Sequence, residues 1–406
     1  MKNARATDSK YRQFLSGSYF LFFTILGIFV PYFNLHCYHL KFSPLEIGLL
    51  SGTLTAMKMI SPFLWSWKAD QKKSRKKILF ITTFGSAAAF LPCIWIQDFL
   101  PMLIAIFFYS FFFMGILPLI EAAALETVEL RGGEYGKIRL WGSLGFIFAS
   151  LGCGYLIDLL STPIALYLTG VFSFLLLVPT ARIPETDHRK PEGEPDSADL
   201  SVLNRPEIGI FFLLCVIMQI THGTYYGFFA IFMESIGFTK STVGICWTFA
   251  VLCEIAVMFR YQKWFGKNRP QTWLALCFLI AAFRWWLTAK ADSLMLFLFA
   301  QCLHAFTYGA FHIASLTYLN RHVPANFRTS AIGLLSSLSY GLGGTIGAVF
   351  SGIFYDSLGA RVLFVFSGGF SLIGAALALW LWSFPSRREN GEGNPDQTVT
   401  GLAAEA

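Results

Sequence analysis

The segment ARIPETDHRKPEGEPDSADLSVLNRP, residues 181–206, is a long polar stretch inside a chain dominated by apolar residues. It is rich in Pro, Glu and Asp, a composition typical of linkers that bury no core. In the chain as a whole, 55% of the 406 residues are hydrophobic, 14% are charged, and 43 are Phe. Soluble domains usually carry about 25% charged residues. The composition therefore excludes a soluble enzyme, a nucleic-acid binder and a disordered protein, and it predicts a chain embedded in a lipid bilayer.

Apolar runs of the length needed to cross a bilayer, about 20 residues, lie on both sides of this linker. Six precede it and six follow it, at residues 14–34, 44–67, 78–97, 99–125, 138–157, 162–180, 207–233, 241–262, 271–289, 294–318, 328–354 and 360–384. The pattern predicts an all-α membrane protein with twelve transmembrane helices in two six-helix bundles. The predicted divisions are a cytoplasmic N-terminus (1–13), an N-terminal bundle (14–180), a cytoplasmic linker (181–206), a C-terminal bundle (207–384) and a cytoplasmic tail (385–406).

The basic residues predict the orientation of these helices. If the N-terminus is cytoplasmic, 24 of the 31 Lys and Arg fall in inner segments, four in outer loops and three within helices. Inner loops of membrane proteins carry such an excess. We therefore expect a multi-pass protein of the cell inner membrane with both termini in the cytoplasm. The eight Cys form no CxxC pair, so we expect neither a metal site nor a disulfide framework.

The two halves also repeat weakly. FSPLEIG (42–48) aligns with FTKSTVG (238–244), and GYLID (154–158) aligns with GIFYD (352–356). Two six-helix halves joined by a cytoplasmic linker form the architecture of major facilitator transporters. No GxxxxGK[ST] phosphate loop occurs in the sequence, so nothing supports transport driven by ATP.

Three charged residues lie within the predicted helices at bilayer depth, where a charge costs about 2.5–3.5 kcal/mol on insertion scales. Lys58 lies near the middle of the second helix, Glu254 near the middle of the eighth, and Arg284 in the ninth. The repeat places Lys58 and Glu254 at equivalent positions of the two halves. These residues are candidates for a transport role, and a structural ion pair is the alternative.

Two further groups of polar residues lie at helix ends or along helix faces. Glu121 and Arg139 flank the hairpin between the fourth and fifth helices at equal distance, where an ion pair at the membrane surface is the plain interpretation. His304, Tyr308 and His312 follow one another at intervals of four residues in the tenth helix, so they share a face. A buried His there is a candidate proton carrier, and a His that is hydrogen-bonded for packing is the alternative.

The seventh helix contains THGTYYGFFAIF (221–232), which places His222 near the middle of the membrane. Gly223 could loosen the helix at this point. Tyr225 and Tyr226, one turn further on, could stack on a substrate ring. Packing of these aromatic side chains within the bundle is the alternative.

At these positions the chain resembles a known family. The stretches EYGKIRLWGS (134–143), THGTYYGFFAIF (221–232), VGICWTFAVLCEIAVMF (243–259) and LHAFTYGAFHIA (303–314) resemble the bacterial phenylpropionate permease group of the major facilitator superfamily. That group is related to proton symporters of the lactose permease type. The resemblance covers nearly the whole chain.

The resemblance implies roles for individual residues. Glu121 and Arg139, 18 residues apart and followed by Gly142, are similar to the Glu and Arg that hold substrate in the lactose permease group. Glu254 is similar to the Glu of the eighth helix that links substrate to proton. Arg284 and His304 are similar to the Arg of the ninth helix and the His of the tenth.

Two positions depart from the family pattern. Three residues after His304, where the sugar symporters carry a Glu, this chain has Thr307, which cannot exchange a proton. Lys58 is also unlike the sugar permeases, and its charge favours an anionic substrate. The loop motif of facilitators, which gates transport, is present in part, with Asp70 and Arg75 retained.

These observations favour a secondary transporter, a proton-coupled importer of an aromatic monocarboxylate that works by alternating access. Lys58, Glu121, Arg139, His222, Tyr225, Tyr226 and Arg284 are the predicted substrate-binding residues. Glu254 and His304 are the predicted proton carriers, and no cofactor is expected beyond the proton gradient. We expect a monomer whose partners are the lipid bilayer and a small, anionic substrate. A sugar or nucleoside symporter and an efflux transporter stay open as alternatives. A membrane enzyme or sensor is the alternative from another class, although neither HExxH nor GxSxG occurs.

Overall fold

A computed structural model describes residues 2–183, 185, 200–265, 269–324 and 327–384. Most of the predicted linker (residues 184 and 186–199) and the whole predicted tail (385–406) lie outside the described residues. The domain boundaries predicted there stay predictions.

The described residues form α-helices joined by short turns. Before the linker these are α1 (Lys2–His39), α2 (Pro44–Lys72), α3 (Arg75–Phe90), α4 (Phe99–Phe113), α5 (Ile116–Arg131), α6 (Tyr135–Leu159) and α7 (Pro163–Thr180). After it come α8 (Pro206–Thr221), α9 (Gly223–Ser235), α10 (Lys240–Phe265), α11 (Pro270–Lys290), α12 (Leu294–His304), α13 (Phe311–His322), α14 (Arg328–Ser336) and α15 (Gly344–Trp382). Two π-helical segments, Ala305–Ala310 and Ser337–Gly343, join α12 to α13 and α14 to α15.

Eleven helical spans within the described residues are long and apolar enough to cross a membrane. The last of them, Arg328–Trp382, has 55 residues and would be about 80 Å long as a straight helix, far more than the ~30 Å hydrocarbon core. It is interrupted at Gly359, whose φ of 74° and ψ of 163° are not helical. The two arms correspond to the predicted eleventh and twelfth helices, and the all-α membrane fold is confirmed.

The repeated FSPLEIG and FTKSTVG motifs are helix starts in both halves. The Ser43 hydroxyl accepts from the Glu46 amide at 3.3 Å, and the Glu46 carboxylate accepts from the Ser43 amide at 2.7 Å. This reciprocal capping begins α2. The Thr239 hydroxyl accepts from the Thr242 amide at 3.2 Å, next to the first turn of α10. The internal repeat therefore conserves the capping chemistry of two equivalent helices.

The contacts divide the chain into two compact units, Met1–Arg189 with Tyr226–Thr248, and Lys190–Tyr225 with Phe249–Ala406. In the first unit, α1 packs against α6 and α7. In the second unit, α15 packs against α11 and α8.

Residues 226–248, which the sequence places in the C-terminal bundle, belong to the first unit. The reason is local, because Asp158 at the end of α6 binds the N-terminus of α10. Its carboxylate accepts from the backbone amides of Lys240 and Ser241 at 2.9 and 2.8 Å, where a helix has unpaired amides and a positive end. On the same unit, Glu234 accepts from Lys240 at 2.7 Å and contacts His39 at 2.8 Å.

Gly359 provides a test of the break in the last span. Its backbone conformation is accessible to Gly alone among common residues, so a Gly359→Ala substitution should lower the stability of the protein by about 1–3 kcal/mol. Gly369 lies within the helical part of α15, and a Cβ there would meet nothing within 4 Å. Gly369→Ala is therefore the matched control and should not lower the unfolding temperature of the purified protein. Equal unfolding temperatures for the two variants would contradict the assigned break.

Candidate functional site

The seventh predicted span is broken at its middle, where α8 ends and α9 begins. His222 occupies the break and is fully buried. A Cβ on the adjacent Gly223 would lie 2.2 Å from the carbonyl carbon of Gly347 on α15, so only Gly fits this close approach. The chain thus turns slightly beside α15, and the His222 side chain lies inside the second unit.

Arg284 on α11 is the most enclosed charge of the second unit, with 1% of its surface exposed. Its Nε donates to the carbonyl of Ala300 at 3.1 Å, and its Nη1 donates to the Thr307 hydroxyl at 3.1 Å and to His222 Nε2 at 3.3 Å. His222 Nδ1 lies 2.8 Å from the carbonyl of Met218, which can only accept. The proton of a neutral His222 therefore sits on Nδ1, and Nε2 is left to accept from the guanidinium.

Aromatic rings cover the Arg284 guanidinium. Its carbon lies 4.7 Å from the centroid of Tyr225 and 4.1 Å from that of Trp285, both within the range of cation–π attraction. The Tyr225 hydroxyl in turn donates to the Gln301 side chain at 3.0 Å. Fixed acceptors and rings hold this charge in one orientation, so it contributes a permanent positive field to the unit.

Half-buried Glu254 and buried His304 form a pair that joins α10 to α12. His304 Nε2 lies 2.9 Å from Glu254 Oε1, and the two side chains are 4% and 14% exposed. An ionised carboxylate only accepts, so Nε2 carries the shared hydrogen. His304 Nδ1 has no hydrogen-bond partner among the described residues. The pair can therefore take up one more proton, on the carboxylate or on Nδ1.

The π-helical segment Ala305–Ala310 connects this pair to the Arg284 network. The Thr307 hydroxyl, which accepts from Arg284, donates to the carbonyl of His304 at 3.3 Å. The Tyr308 ring stacks on the His304 ring with centroids 5.4 Å apart. Segments of π-helix are frequent at functional sites because they change the register of side chains along a helix. Here Thr307, which lies in the segment, contacts both Arg284 and His304. One residue therefore connects the predicted proton carrier His304 to the buried cation.

The first unit contains a second cluster of predicted site residues around Arg139 on α6. The Arg139 guanidinium lies 4.3 Å from the Phe23 ring centroid and 5.7 Å from that of Tyr19. Both Arg139 and Glu121, which is half-buried on α5, interact electrostatically with the Tyr19 hydroxyl. The predicted pair therefore lies around an aromatic surface of α1. Sequence reasoning missed Tyr19 and Phe23, although their spacing of four residues places both rings on one helix face.

Two other predicted substrate residues lie in the first unit and not in the Arg284 cluster. Lys58 is half-buried at the middle of α2. Tyr226 packs its ring 5.8 Å from that of Trp247. Tyr225 and Tyr226, adjacent in sequence, therefore point into different units.

The two predicted gating residues lie at the turn between α2 and α3. Asp70 is in the last turn of α2, and its carbonyl accepts from the amide of Lys73, which is left-handed and ends the helix. Arg75, at the start of α3, forms an ion pair with Glu126 on α5. The retained Arg of the motif thus ties neighbouring helices of the first unit together.

Gly142 allows a test of the Arg139 cluster. A Cβ there would lie 2.7 Å from the Phe23 ring and 2.8 Å from Arg139 Nη1, so Gly142→Ala should push the guanidinium off its ring. Since an exposed to partly buried cation–π contact is worth about 0.5–2 kcal/mol, substrate affinity should fall about threefold to thirtyfold. On the same helix, a Cβ at Gly152 would meet nothing within 4 Å, so Gly152→Ala should leave affinity unchanged. Ligand binding to the purified variants measures both, and unchanged affinity in Gly142→Ala would remove Arg139 from the site.

Comparisons with known proteins agree with this architecture. The chain matches the MFS_1 like family over residues 13–366. It is 28% identical over 366 residues to a "Probable 3-phenylpropionic acid transporter" of Escherichia coli strain K12, covering 87% of this chain and 93% of that protein. It is 25% identical to the maltose permease of Geobacillus stearothermophilus, covering 89% and 92% of the two chains.

Solved structures show the same fold. The crystal structure of the nucleoside transporter NupG superposes with a TM-score of 0.83 at 18% identity, covering 92% of this chain and all of that one. A bacterial homologue of the human lysosomal transporter Spinster superposes with a TM-score of 0.75 at 14% identity, covering 92% and 97%. The relatives are transporters, which supports a transporter rather than an enzyme. The chain belongs to the MFS_1 like family of major facilitator transporters.

Proposed function

We propose that this protein is a proton-coupled importer of a small organic molecule, an aromatic monocarboxylate, and that it works by alternating access. The observation that carries the proposal is the Glu254–His304 pair, whose side chains are 2.9 Å apart and at most 14% exposed. A carboxylate in contact with an imidazole can hold and release one proton without exposing a bare charge to the membrane interior. Thr307 cannot titrate, and we assign the proton to this pair.

The position of Arg284 supports this assignment. Its charge is fixed next to His222 and Thr307, and Thr307 contacts His304. Thr307 therefore connects the buried cation to the residue that pairs with Glu254. Protonation of the pair thus depends on what else enters the site, which is the condition for coupling a proton to a substrate.

The charges of the first unit favour an anionic substrate. Lys58 and Arg139 bring two positive charges against one negative charge on Glu121, all three half-buried. A carboxylate would neutralise the excess through charge-assisted hydrogen bonds. The similar Escherichia coli protein is named a "Probable 3-phenylpropionic acid transporter", and 3-phenylpropionic acid is a monocarboxylic acid. We assign Lys58 and Arg139 as the carboxylate-binding residues.

A nucleoside or sugar is the second candidate substrate. The structural likeness to the nucleoside transporter NupG favours it, as does Glu121, which can accept hydrogen bonds from hydroxyl groups. Export of the same compounds is the alternative direction. In either case we propose a monomer in the cell inner membrane, with both termini in the cytoplasm, driven by the proton gradient without a cofactor.

Replacement of Glu254 tests the proton carrier. Gln keeps the shape of Glu but cannot release a proton, so Glu254→Gln should abolish uphill accumulation in proteoliposomes and leave substrate exchange partly intact. Glu134 is the matched control, since it is 68% exposed and pairs with an exposed Lys137. Glu134→Gln should accumulate substrate like the wild type. If Glu254→Gln still concentrates substrate under a pH gradient, Glu254 is not the coupling residue.

A matched acid and amide test the charge of the substrate. The wild type should bind an aromatic monocarboxylate about tenfold to a hundredfold more tightly than its amide, the loss expected for one buried charge-assisted contact. Lys58→Met should reduce this preference more than it reduces binding of the amide. Calorimetry on purified wild type and variant measures all four affinities. Equal affinity of the wild type for acid and amide would refute the anion and favour the nucleoside or sugar.

A further inference from the structure

A small cavity lies within the second unit between α8 and the two π-helical segments. Gln219 from α8, Thr307 and Tyr308 from the first segment, and Ser339 and Tyr340 from the second line it, together with His312. Gln219, Thr307 and Ser339 are buried, whereas Tyr308, His312 and Tyr340 are half-buried. The cavity therefore has a polar floor and an aromatic side that is partly open. It has room for a group of about the size of a water molecule.

The polar side chains that line the cavity differ in whether they make hydrogen bonds to other residues. The Ser339 hydroxyl donates to the carbonyl of Cys215 at 3.0 Å, and the Thr307 hydroxyl accepts from Arg284 at 3.1 Å. Tyr340 and His312 pair with each other at 3.1 Å. The Gln219 carboxamide, by contrast, lines the cavity, belongs to a residue that is 7% exposed, and makes no hydrogen bond to any described residue.

The Gln219 carboxamide is not among the fully buried polar groups of the described residues that lack a partner, so its polar atoms face the open space of the cavity that it lines. It offers two donors and one acceptor. The group that satisfies both kinds of site at one point is a hydroxyl, which donates and accepts through the same atom. No charged side chain lines the cavity among the described residues, so a neutral group fits it and an ion does not.

The cavity adjoins the candidate site directly. Thr307 belongs to both, since it lines the cavity and accepts from Arg284. Tyr308 lines the cavity and stacks on the proton-carrying His304. Tyr340 lies 5.9 Å from Tyr308, ring to ring, so two aromatic faces border the open side. A hydroxyl in the cavity would therefore belong to a ligand whose ring lies against these aromatic residues.

We propose that this cavity is a hydroxyl subsite in which the Gln219 carboxamide binds a neutral hydroxyl group of the transported molecule. The inference rests on the proposed transport function and names the substrate class more closely: a ring-hydroxylated aromatic acid, preferred over the parent acid. A site built to bind a hydroxyl discriminates strongly against the analogue that lacks it, since the protein group is then left without a partner.

The test uses purified full-length protein and a panel of four aromatic acids together with the amide of each. An aromatic monocarboxylate is compared with its ortho, meta and para ring-hydroxylated isomers, and each acid is compared with its amide. One hydroxylated isomer should bind about tenfold to a hundredfold more tightly than the parent acid. Gln219→Leu, similar in size but without polar atoms, should abolish this preference while leaving the parent acid bound as in the wild type. Gln219→Asn, which keeps the amide but shortens it, should lose part of the preference.

The matched control is Gln271→Leu, because Gln271 is also buried, with 2% of its surface exposed, and lies on α11 outside the cavity. It should keep the hydroxyl preference. Equal wild-type affinities for the parent acid and all three isomers would overturn the subsite, and the cavity would then hold ordered water only. Loss of preference in Gln271→Leu as well would also overturn it. If the protein prefers a hydroxylated ligand over its parent but binds acid and amide equally, the hydroxyl subsite is supported. The proposal of an anionic substrate is then refuted instead.

Discussion

A guanidinium inside a membrane protein must have its charge and its directional donors satisfied by the protein, since the surrounding lipid offers neither. Nε and Nη1 of Arg284 meet this constraint through groups from separate helices: the carbonyl of Ala300, the hydroxyl of Thr307 and the imidazole of His222, with aromatic rings near the guanidinium. The helix break at His222 and the π-helical segment at Thr307 are the two irregularities that bring these groups to it. Both of these irregularities lie where a buried charge needs partners.

Two roles that a single acidic residue could have combined are separate in this protein. One is to bind Arg284, and the other is to carry the proton. With Thr307 three residues after His304, Arg284 donates there to a hydroxyl and to the His222 imidazole. Glu254 is left to pair with His304. Thr307 then connects Arg284 to the titratable pair, because its hydroxyl accepts from Arg284 and donates to the carbonyl of His304. Thr307 itself cannot carry a proton. In this arrangement the cation sets the electrostatics of the site, and the pair supplies the proton chemistry.

Hydropathy and the basic residues were enough to predict the twelve spans and the facilitator fold, because a lipid solvent demands long apolar helices. Glu254 and His304 could be singled out for the same reason, since polar residues at membrane depth are costly. Their direct contact could not be predicted, because it depends on the register set by the π-helical segment, which has no signature in composition. The contacts of Arg284 with His222 and Thr307 could not be predicted either, because nothing in the sequence brings these three helices together at those residues. Gln219 could have been noticed as an amide in an apolar run, but its lack of a partner is visible only in three dimensions.

The central claim is that substrate entry carries a proton through the Glu254–His304 pair, and proton movement driven by the substrate tests it most directly. Proteoliposomes containing a pH-sensitive dye in the lumen, with no imposed pH gradient, are given the aromatic acid outside. Lumenal acidification faster than in protein-free liposomes is predicted, at a rate that follows uptake of labelled substrate. Uptake of the substrate through the protein without acidification beyond that of the protein-free liposomes would contradict the account.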